Sequence, residues 1–252
     1  MAVNIHFDAV PDLNHAARYE IFSLLDRHFA GVDEHVFAAD LATKTHVLRI
    51  FDARGQLAGF STLEYRRRTM QGESGALVYS GDTIVDPAAW VDTNLGPAWV
   101  AAILGLHAEA GPLWWLVLTS GVRTYRYLTV CVRRYAPAPI DRLDEQAASL
   151  LSEFASERFG PEFNADAGVV RFTKPQRLRE HLADIPDHIR SDPAVHVFLT
   201  MNPHHTAGDE LVSLCRLDPS NLTAVGLLAL RRGRRSAITP KAKAATAVTA
   251  TA

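Results

Sequence analysis

The sequence predicts an α/β chain built on a mixed, mostly antiparallel central sheet that contains one parallel βαβ unit. Three observations carry this. Two runs with strand texture, 46–51 and 56–65, are joined by the short turn Asp52-Ala53-Arg54-Gly55 and read as an antiparallel hairpin. A strand at 76–85, stopped by Asp86-Pro87, is followed by a helical pattern and then by Leu113–Leu118 (LWWLVL). That last run is apolar at every position, which suits a central strand covered on both faces and parallel to the strand before the helix.

The elements follow in order. Asn14 to Phe29 is amphipathic, with Ala17, Ile21, Leu25 and Phe29 repeating every four residues. Asp12 or Asn14 caps its start and Gly31 ends it. A short second helix runs from Asp33 to Leu41. After the hairpin come Arg66-Arg67-Arg68 and the loop Gly72-Glu73-Ser74-Gly75. In the βαβ unit, Asn94 or Gly96 caps the helix. Pro97 suits its first turn, where a missing N–H costs nothing. Trp99, Val100, Ile103, Leu104 and His107 continue at helical spacing, and Gly111-Pro112 closes the helix. A helix over 123–135 ends before Pro137 and Pro139. Another spans 144–159. Residues 195–201 and 210–217 read as two strands around the polar loop 202–209, and 221–230 as a last short helix. We expect one domain over 1–235, with 136–192 as an extra segment, and a disordered basic tail over 236–252.

Composition narrows the function. The chain has 252 residues, 48% apolar and 21% charged, with a net charge of −2, which suits a soluble globular protein and excludes a collagenous or disulfide-dense one. From Arg231 onward there are six basic residues and no acids, so residues 1–230 hold 20 basic residues against 28 acidic ones, a balance of −8. An acidic body argues against a nucleic-acid-binding face. The longest uncharged apolar run, 93–106, is 14 residues, short of the ~20 that a membrane span needs. With no signal-peptide pattern either, the expected compartment is the cytoplasm. Cys131 and Cys215 sit in apolar runs and form no CxxC, so both are expected to be buried thiols. Trp114-Trp115 reads as core. His204-His205 with Asp209 and Glu210 is the most metal-like group, but adjacent histidines without an H-x-x-x-H register do not make a metal site. No G-x-S-x-G elbow accompanies Ser120, which excludes the hydrolase reading of that serine.

The hairpin LRIFDARGQLAGFSTLEY, the strand ALVYSGDTIVDP with its following helix, and LWWLVL leading into a Tyr-bearing helix together resemble the Gcn5-related N-acetyltransferase (GNAT) superfamily. The resemblance covers 1–135 and 195–217. It implies that the strands 76–85 and 113–118 splay apart, with an acyl thioester in the gap. Acetyl-CoA or a longer acyl-CoA is then the co-substrate and a small-molecule amine or amino acid the acceptor. Attack is direct, without a protein nucleophile or a metal. The backbone near Ile84 and Val85, and Asn94, Leu95 and Gly96 at the helix start, would bind the pantetheine and pyrophosphate. Asp82 or Glu64 would be the base, and Tyr125 or Tyr127 the acid for the leaving thiolate. Tyr79, Ser80, Thr83, Ser120, Arg123 and Asn202 would contact substrate. The segment Ala89–Pro97 departs from the family's glycine-rich phosphate loop: it keeps one glycine and no basic residue, and Pro97 removes a donor. This leaves room for an acyl carrier protein as the donor. It also leaves room for a non-catalytic binding or regulatory domain of the same shape. A carrier protein and a second copy of the chain are the candidate protein partners; neither nucleic acid nor a membrane is expected. The extra segment 136–192 is a candidate lid for a longer acyl chain.

Overall fold

The computed structural model describes residues 4–89, 95–107 and 111–235. Asn94 and the tail 236–252 therefore lie outside the described residues. Strand β1 (Asn4–Ala9) leads into α1 (His15–His28), whose start is capped by Asn14 Oδ1 accepting from the Ala17 N–H at 2.9 Å. Asp33 caps α2 (Glu34–Thr43) in the same way. The hairpin follows as β2 (His46–Phe51) and β3 (Leu57–Met70), then β4 (Glu73–Val85). The helix α3 (Leu95–Leu106) connects to β5 (Leu113–Thr119), and α4 (Val122–Cys131) comes next.

The segment after α4 contains α5 (Glu145–Phe159), capped by Asp144, and two short strands, β6 (Phe163–Asn164) and β7 (Val169–Val170). The chain closes with α6 (Pro193–Met201), β8 (Glu210–Arg216) and α7 (Ala224–Arg235). The sheet order is β1-β2-β3-β4-β5-β8-β7-β6. Only β4 and β5 pair in parallel; every other neighbouring pair is antiparallel. This is the mixed sheet with one βαβ unit that the sequence predicts.

Both faces of the sheet are covered. On one side Trp99 and Ile103 of α3, Leu128 of α4 and Phe198 of α6 bury Val78, Leu113, Trp115 and Val117. On the other, Leu150 and Phe154 of α5 cover Trp114, Leu116 and Leu118, while Ile21, Leu25 and Phe37 of α1 and α2 cover Val47, Phe60 and Ile84. Successive side chains of β5 thus enter opposite cores, so all seven of its residues are buried. Trp114, Trp115, Cys131 and Cys215 are core residues, and both cysteines are free.

Three boundaries differ from the sequence reading. Residues 195–201 are helical, within α6. Asp192 accepts from the Ala194 N–H, Pro193 takes the first turn, and Ala194, Val195 and Phe198 bury one helical face. The expected late hairpin is therefore absent, and β8 pairs instead with β5 and β7. Strand β3 runs through Arg66–Arg68 to Met70, and Arg68 is held there by Glu153 and Glu157 of α5. Helix α4 stops at Cys131 rather than Tyr135, because Val132, Tyr135 and Ala136 turn to make bridges with Leu222, Leu143 and Leu214.

A small clasp ties the extra segment to the N-terminal helix. Phe29–Ala30 pairs antiparallel with Arg177–Leu178. The Arg179 guanidinium then donates to the Asp26 and Arg27 carbonyls, each at 3.0 Å. Among the described residues no helix is long and apolar enough to cross a membrane.

Candidate active site

The sheet opens at its centre. Strands β4 and β5 pair from Ala76 opposite Leu113 to Ser80 opposite Val117 and then diverge, although β4 continues to Val85. On its other edge β4 carries a bulge. Ser61 pairs with Thr83 and Leu63 with Ser80, so Gly81 and Asp82 together oppose Thr62 alone. The extra residue reverses the alternation. Ala76 and Val78 share the α3-side core with Val85, whereas Tyr79 and Ile84 pack on the opposite face. The bulge thereby brings Asp82 to the wall of a cavity. Gly81 fits it sterically, since a Cβ there would lie 3.0 Å from Lys44 Cε and from Thr62 Oγ1.

That cavity has a volume of about 510 Å³. One wall is Asp82–Val85 of β4; the facing wall is Leu118, Ser120, Arg123, Thr124 and Tyr127. Phe29 and Phe37 close it on the α1–α2 side, and Arg158, Phe159, Phe172 and Leu178 come from the extra segment. Glu210, the first residue of β8, completes it.

The carboxyls here have unusual proton affinities. Burial, reinforced by the charge of Asp40 and opposed by Lys44, pushes the Asp82 carboxyl up to about 6. Burial, and then the Asp82 charge, push Glu210 up to about 8, against a hydrogen bond from Ser120 that favours its ionised form. Behind them lies an ion-pair network. The buried Lys44 ammonium holds Asp40; Arg158 reaches Asp40 at 3.3 Å and Glu64 at 3.0 Å; Arg66 also pairs with Glu64. Arg158 also lies over the Tyr79 ring at 4.8 Å and over Phe159 at 5.6 Å.

A narrow slot of about 30 Å³ approaches from the α3 side, lined by Ser80, Gly96, Trp99, Trp115 and Cys131. It shares Thr83, Thr124 and Tyr127 with the large cavity. The Ser80 hydroxyl accepts from the Trp115 indole N–H at 2.8 Å, and Thr83 bonds Ser61 at 2.8 Å. Burial raises the Tyr127 phenol above its ordinary value, so it stays protonated.

Most of the sequence-predicted residues converge on this junction. Asp82, Tyr79, Thr83, Ile84, Val85, Ser120, Arg123 and Tyr127 line the cavity; Ser80 and Gly96 line the slot. Leu95 is the first residue of α3. Three lie elsewhere. Tyr125 is fully buried and its hydroxyl donates to the Pro137 carbonyl at 2.8 Å, so it is a core residue. Glu64 is buried beside Arg158 and Arg66, outside the cavity wall. Asn202 is buried and donates to the Asp209 carbonyl at 2.9 Å; it holds the turn ahead of Glu210 rather than touching the cavity. Sequence reading did not assign Glu210 to the cleft, nor Asp40, Lys44, Arg158, Phe159 and Phe172. Among the described residues, no three His, Cys, Asp or Glu side chains come together to hold a metal.

No protein-family model matches the chain, and no curated protein does. Solved structures are similar to part of the chain. A probable N-acyltransferase from Enterococcus faecalis is similar at 9% identity and TM-score 0.41, over 54% of this chain and 33% of that one. The GNAT family N-acetyltransferase YhbS from Escherichia coli, in complex with CoA, is similar at 19% identity and TM-score 0.35, over 50% of this chain and 69% of that one. NAA60 from Arabidopsis thaliana, in complex with a bisubstrate analogue, is similar at 13% identity and TM-score 0.36, over 56% and 92%. The chain thus spans a third of the length of the first of these. The opening of β4 from β5 after Ser80 is the splay that the resemblance in the sequence implies.

Proposed function

We propose that the chain transfers an acyl group from a pantetheine thioester to an amine at the junction of the slot and the cavity. The observation that carries this is the junction itself. Two spaces of different character meet at Thr83, Thr124 and Tyr127, where β4 and β5 part. The slot, at about 30 Å³, has room for the tip of a thin arm only, and the rest of the arm would lie along the edge of β4. From Gly81 to Ile84 no β5 residue pairs with β4, and N–H and C=O groups along that edge would bond the amides of the arm. The cavity suits an acceptor and has carboxylates to take its proton.

The chemistry needs little from the protein beyond placement and proton handling. An ammonium enters and gives a proton to the Asp82–Glu210 pair, whose raised affinity makes it a better base than an ordinary carboxylate. The free amine attacks the thioester carbonyl carbon, a C–N bond forms, and the electron pair moves to oxygen. The tetrahedral species collapses, the C–S bond breaks, and the thiolate takes a proton from Tyr127. Tyr127 is reprotonated by the nitrogen's second proton, so the products are an amide, a thiol and one proton to solvent. Acetyl-CoA or a longer acyl-CoA is the donor in this reading, and a carrier-protein thioester is the alternative donor.

A second reading, a non-catalytic binding domain, is favoured by one observation. From Thr69 through Val122 the chain has no Lys or Arg and five acids, so β4, α3 and β5 carry no cation for the CoA phosphates. One experiment separates the readings. The protein is incubated with acyl-CoAs of graded length and a panel of amines, while thiol release and amide mass are followed. Transfer predicts thiol and amide in equal amounts. A thermal shift with an acyl-CoA but no thiol release establishes the binding domain. Neither signal with acyl-CoA or acyl-pantetheine sinks both.

A further inference from the structure

We infer that the acceptor is a monoamine with an apolar body, its ammonium held by Asp82 and Glu210 and its body against Phe29, Phe37, Phe159 and Phe172. This rests on the acyl-transfer reading and adds the substrate class. The cavity is large enough for such a molecule, since ligand sites span roughly 300–1,000 Å³ and this one is about 510 Å³. Its lining carries four phenylalanines, and Asp40, Arg158, Glu162 and Lys174 reach it among them. Asp82 and Glu210 stand near the opening of β4 from β5, and the four phenylalanines form the walls away from it. Two of these are rigidly set. Phe159 packs edge-on to Tyr79 at 5.5 Å, and Phe172 edge-on to Phe159 at 6.4 Å.

The charges around the cavity discriminate between amines. A second ammonium reaching into the aromatic half would meet Arg158, whose guanidinium already occupies the faces of Tyr79 and Phe159. Lys44 lies over the Tyr79 ring as well, at 5.2 Å. The acids on this wall are already engaged, Asp40 by Lys44 and Arg158 and Glu162 by the Thr173 N–H and hydroxyl, so the second ammonium of a diamine or polyamine finds no free partner there. Lys44 and Arg158 have no capacity to receive a substrate carboxylate, because Lys44 is held by Asp40, and Arg158 by Asp40 and Glu64; Lys174, which also lines the cavity, stands 3.9 Å from Asp33. A carboxylate beside Asp82 and Glu210 would face like charge. Arg123 lines the opposite wall, so an amino acid belongs among the probes. The extra segment, rather than sealing a long acyl chain, supplies half of the aromatic wall for the acceptor.

The test uses the full chain and calorimetric titration with phenethylamine, spermidine and L-phenylalanine, in the absence of thioester. Phenethylamine is expected to bind at least tenfold more tightly than either of the others. Phe172→Ala, at a partly exposed position, is expected to weaken it about tenfold, and Phe159→Leu provides a second variant that keeps the core filled. Spermidine or phenylalanine binding as tightly as phenethylamine overturns the inference, as does a Phe172→Ala variant with unaltered affinity. Two further outcomes keep the readings apart. Thiol release from acyl-CoA with a different acceptor, but no phenethylamine binding, overturns the substrate class and leaves acyl transfer standing. Phenethylamine binding without thiol release from any thioester overturns acyl transfer and supports the amine site.

Discussion

The two halves of the β4–β5 junction differ sharply. From Ala76 to Ser80 the strands are paired, both faces are covered, and no side chain is charged. From Gly81 to Val85 they are parted, and Asp82 faces Glu210 and Ser120 across a cavity. The comparison teaches where a central parallel strand can tolerate charge. In the paired half an ionised carboxyl would be dry and unpartnered, which is prohibitive. In the parted half the same strand keeps a carboxyl at the edge of a cavity, where burial raises its proton affinity without abolishing ionisation.

Breaking the parted half should have the largest effect on turnover. Asp82→Asn combined with Glu210→Gln is expected to slow amide formation by about 10²–10⁴-fold, the usual contribution of positioned proton transfer. Thiol-release kinetics check this, and a loss below tenfold would mean that placement alone drives the reaction. Breaking the paired half should instead cost stability. Trp115→Ala removes a buried indole that lies tilted against Trp99, with ring centroids 4.2 Å apart, and is expected to lower unfolding free energy by about 3–5 kcal/mol, read from the denaturant midpoint. Tyr127→Phe sits where the halves meet. It keeps the ring and loses the proton donor, so a decrease of about tenfold in kcat, equivalent to ~1.4 kcal/mol, is expected with an unchanged melting temperature. Ser80→Ala, one position before the opening, leaves the Trp115 N–H without its acceptor and should cost about 1–3 kcal/mol in the same unfolding assay.

A pH signature follows from Glu210. Glu210 keeps its proton in the folded state up to about 8, whereas a carboxyl of ordinary affinity loses it near 4.5. The unfolded chain thus holds fewer protons across that window, and stability falls as pH rises through it. Glu210→Gln removes the fall. Its melting temperature should match the parent near pH 4 and exceed it by a few degrees at pH 9. Equal melting curves at both pH values would show that the surroundings of Glu210 do not raise its proton affinity.

Much of this was legible in the sequence. The caps Asn14, Asp33 and Asp144 announce their helices, and LWWLVL announces a strand between two cores. Residues 195–201 were ambiguous because Val-His-Val-Phe-Leu-Thr fits an alternating strand as well as one helical face. The Asp192-Pro193 pair was the available signal for a helix. The bulge was not legible. It shifts the phase of β4 by one residue, so no alternation rule applied to ALVYSGDTIV gives the direction of Asp82. Tyr125 and Tyr127 look equivalent in sequence, but they lie two residues apart on a helix and so face different surroundings. The network of Asp40, Lys44, Glu64 and Arg158 joins segments more than a hundred residues apart, which local patterns do not encode. Only the Asp40–Lys44 spacing of four residues hinted at it.

The clasp between Phe29–Ala30 and Arg177–Leu178 has a consequence for how the chain is made. It closes a loop of roughly 150 residues, and the cavity needs both ends of that loop plus Glu210. During synthesis α1, α2 and the hairpin leave the ribosome long before Phe159, Phe172 and β8 exist. Phe29 and Phe37 therefore pack first against the N-terminal core, and the opposite cavity wall is complete only once translation passes residue 210. Contacts of such long range are slow to form. The cavity is accordingly among the last parts of the molecule to be completed, and a chain terminated before residue 210 would lack the wall that Glu210 supplies.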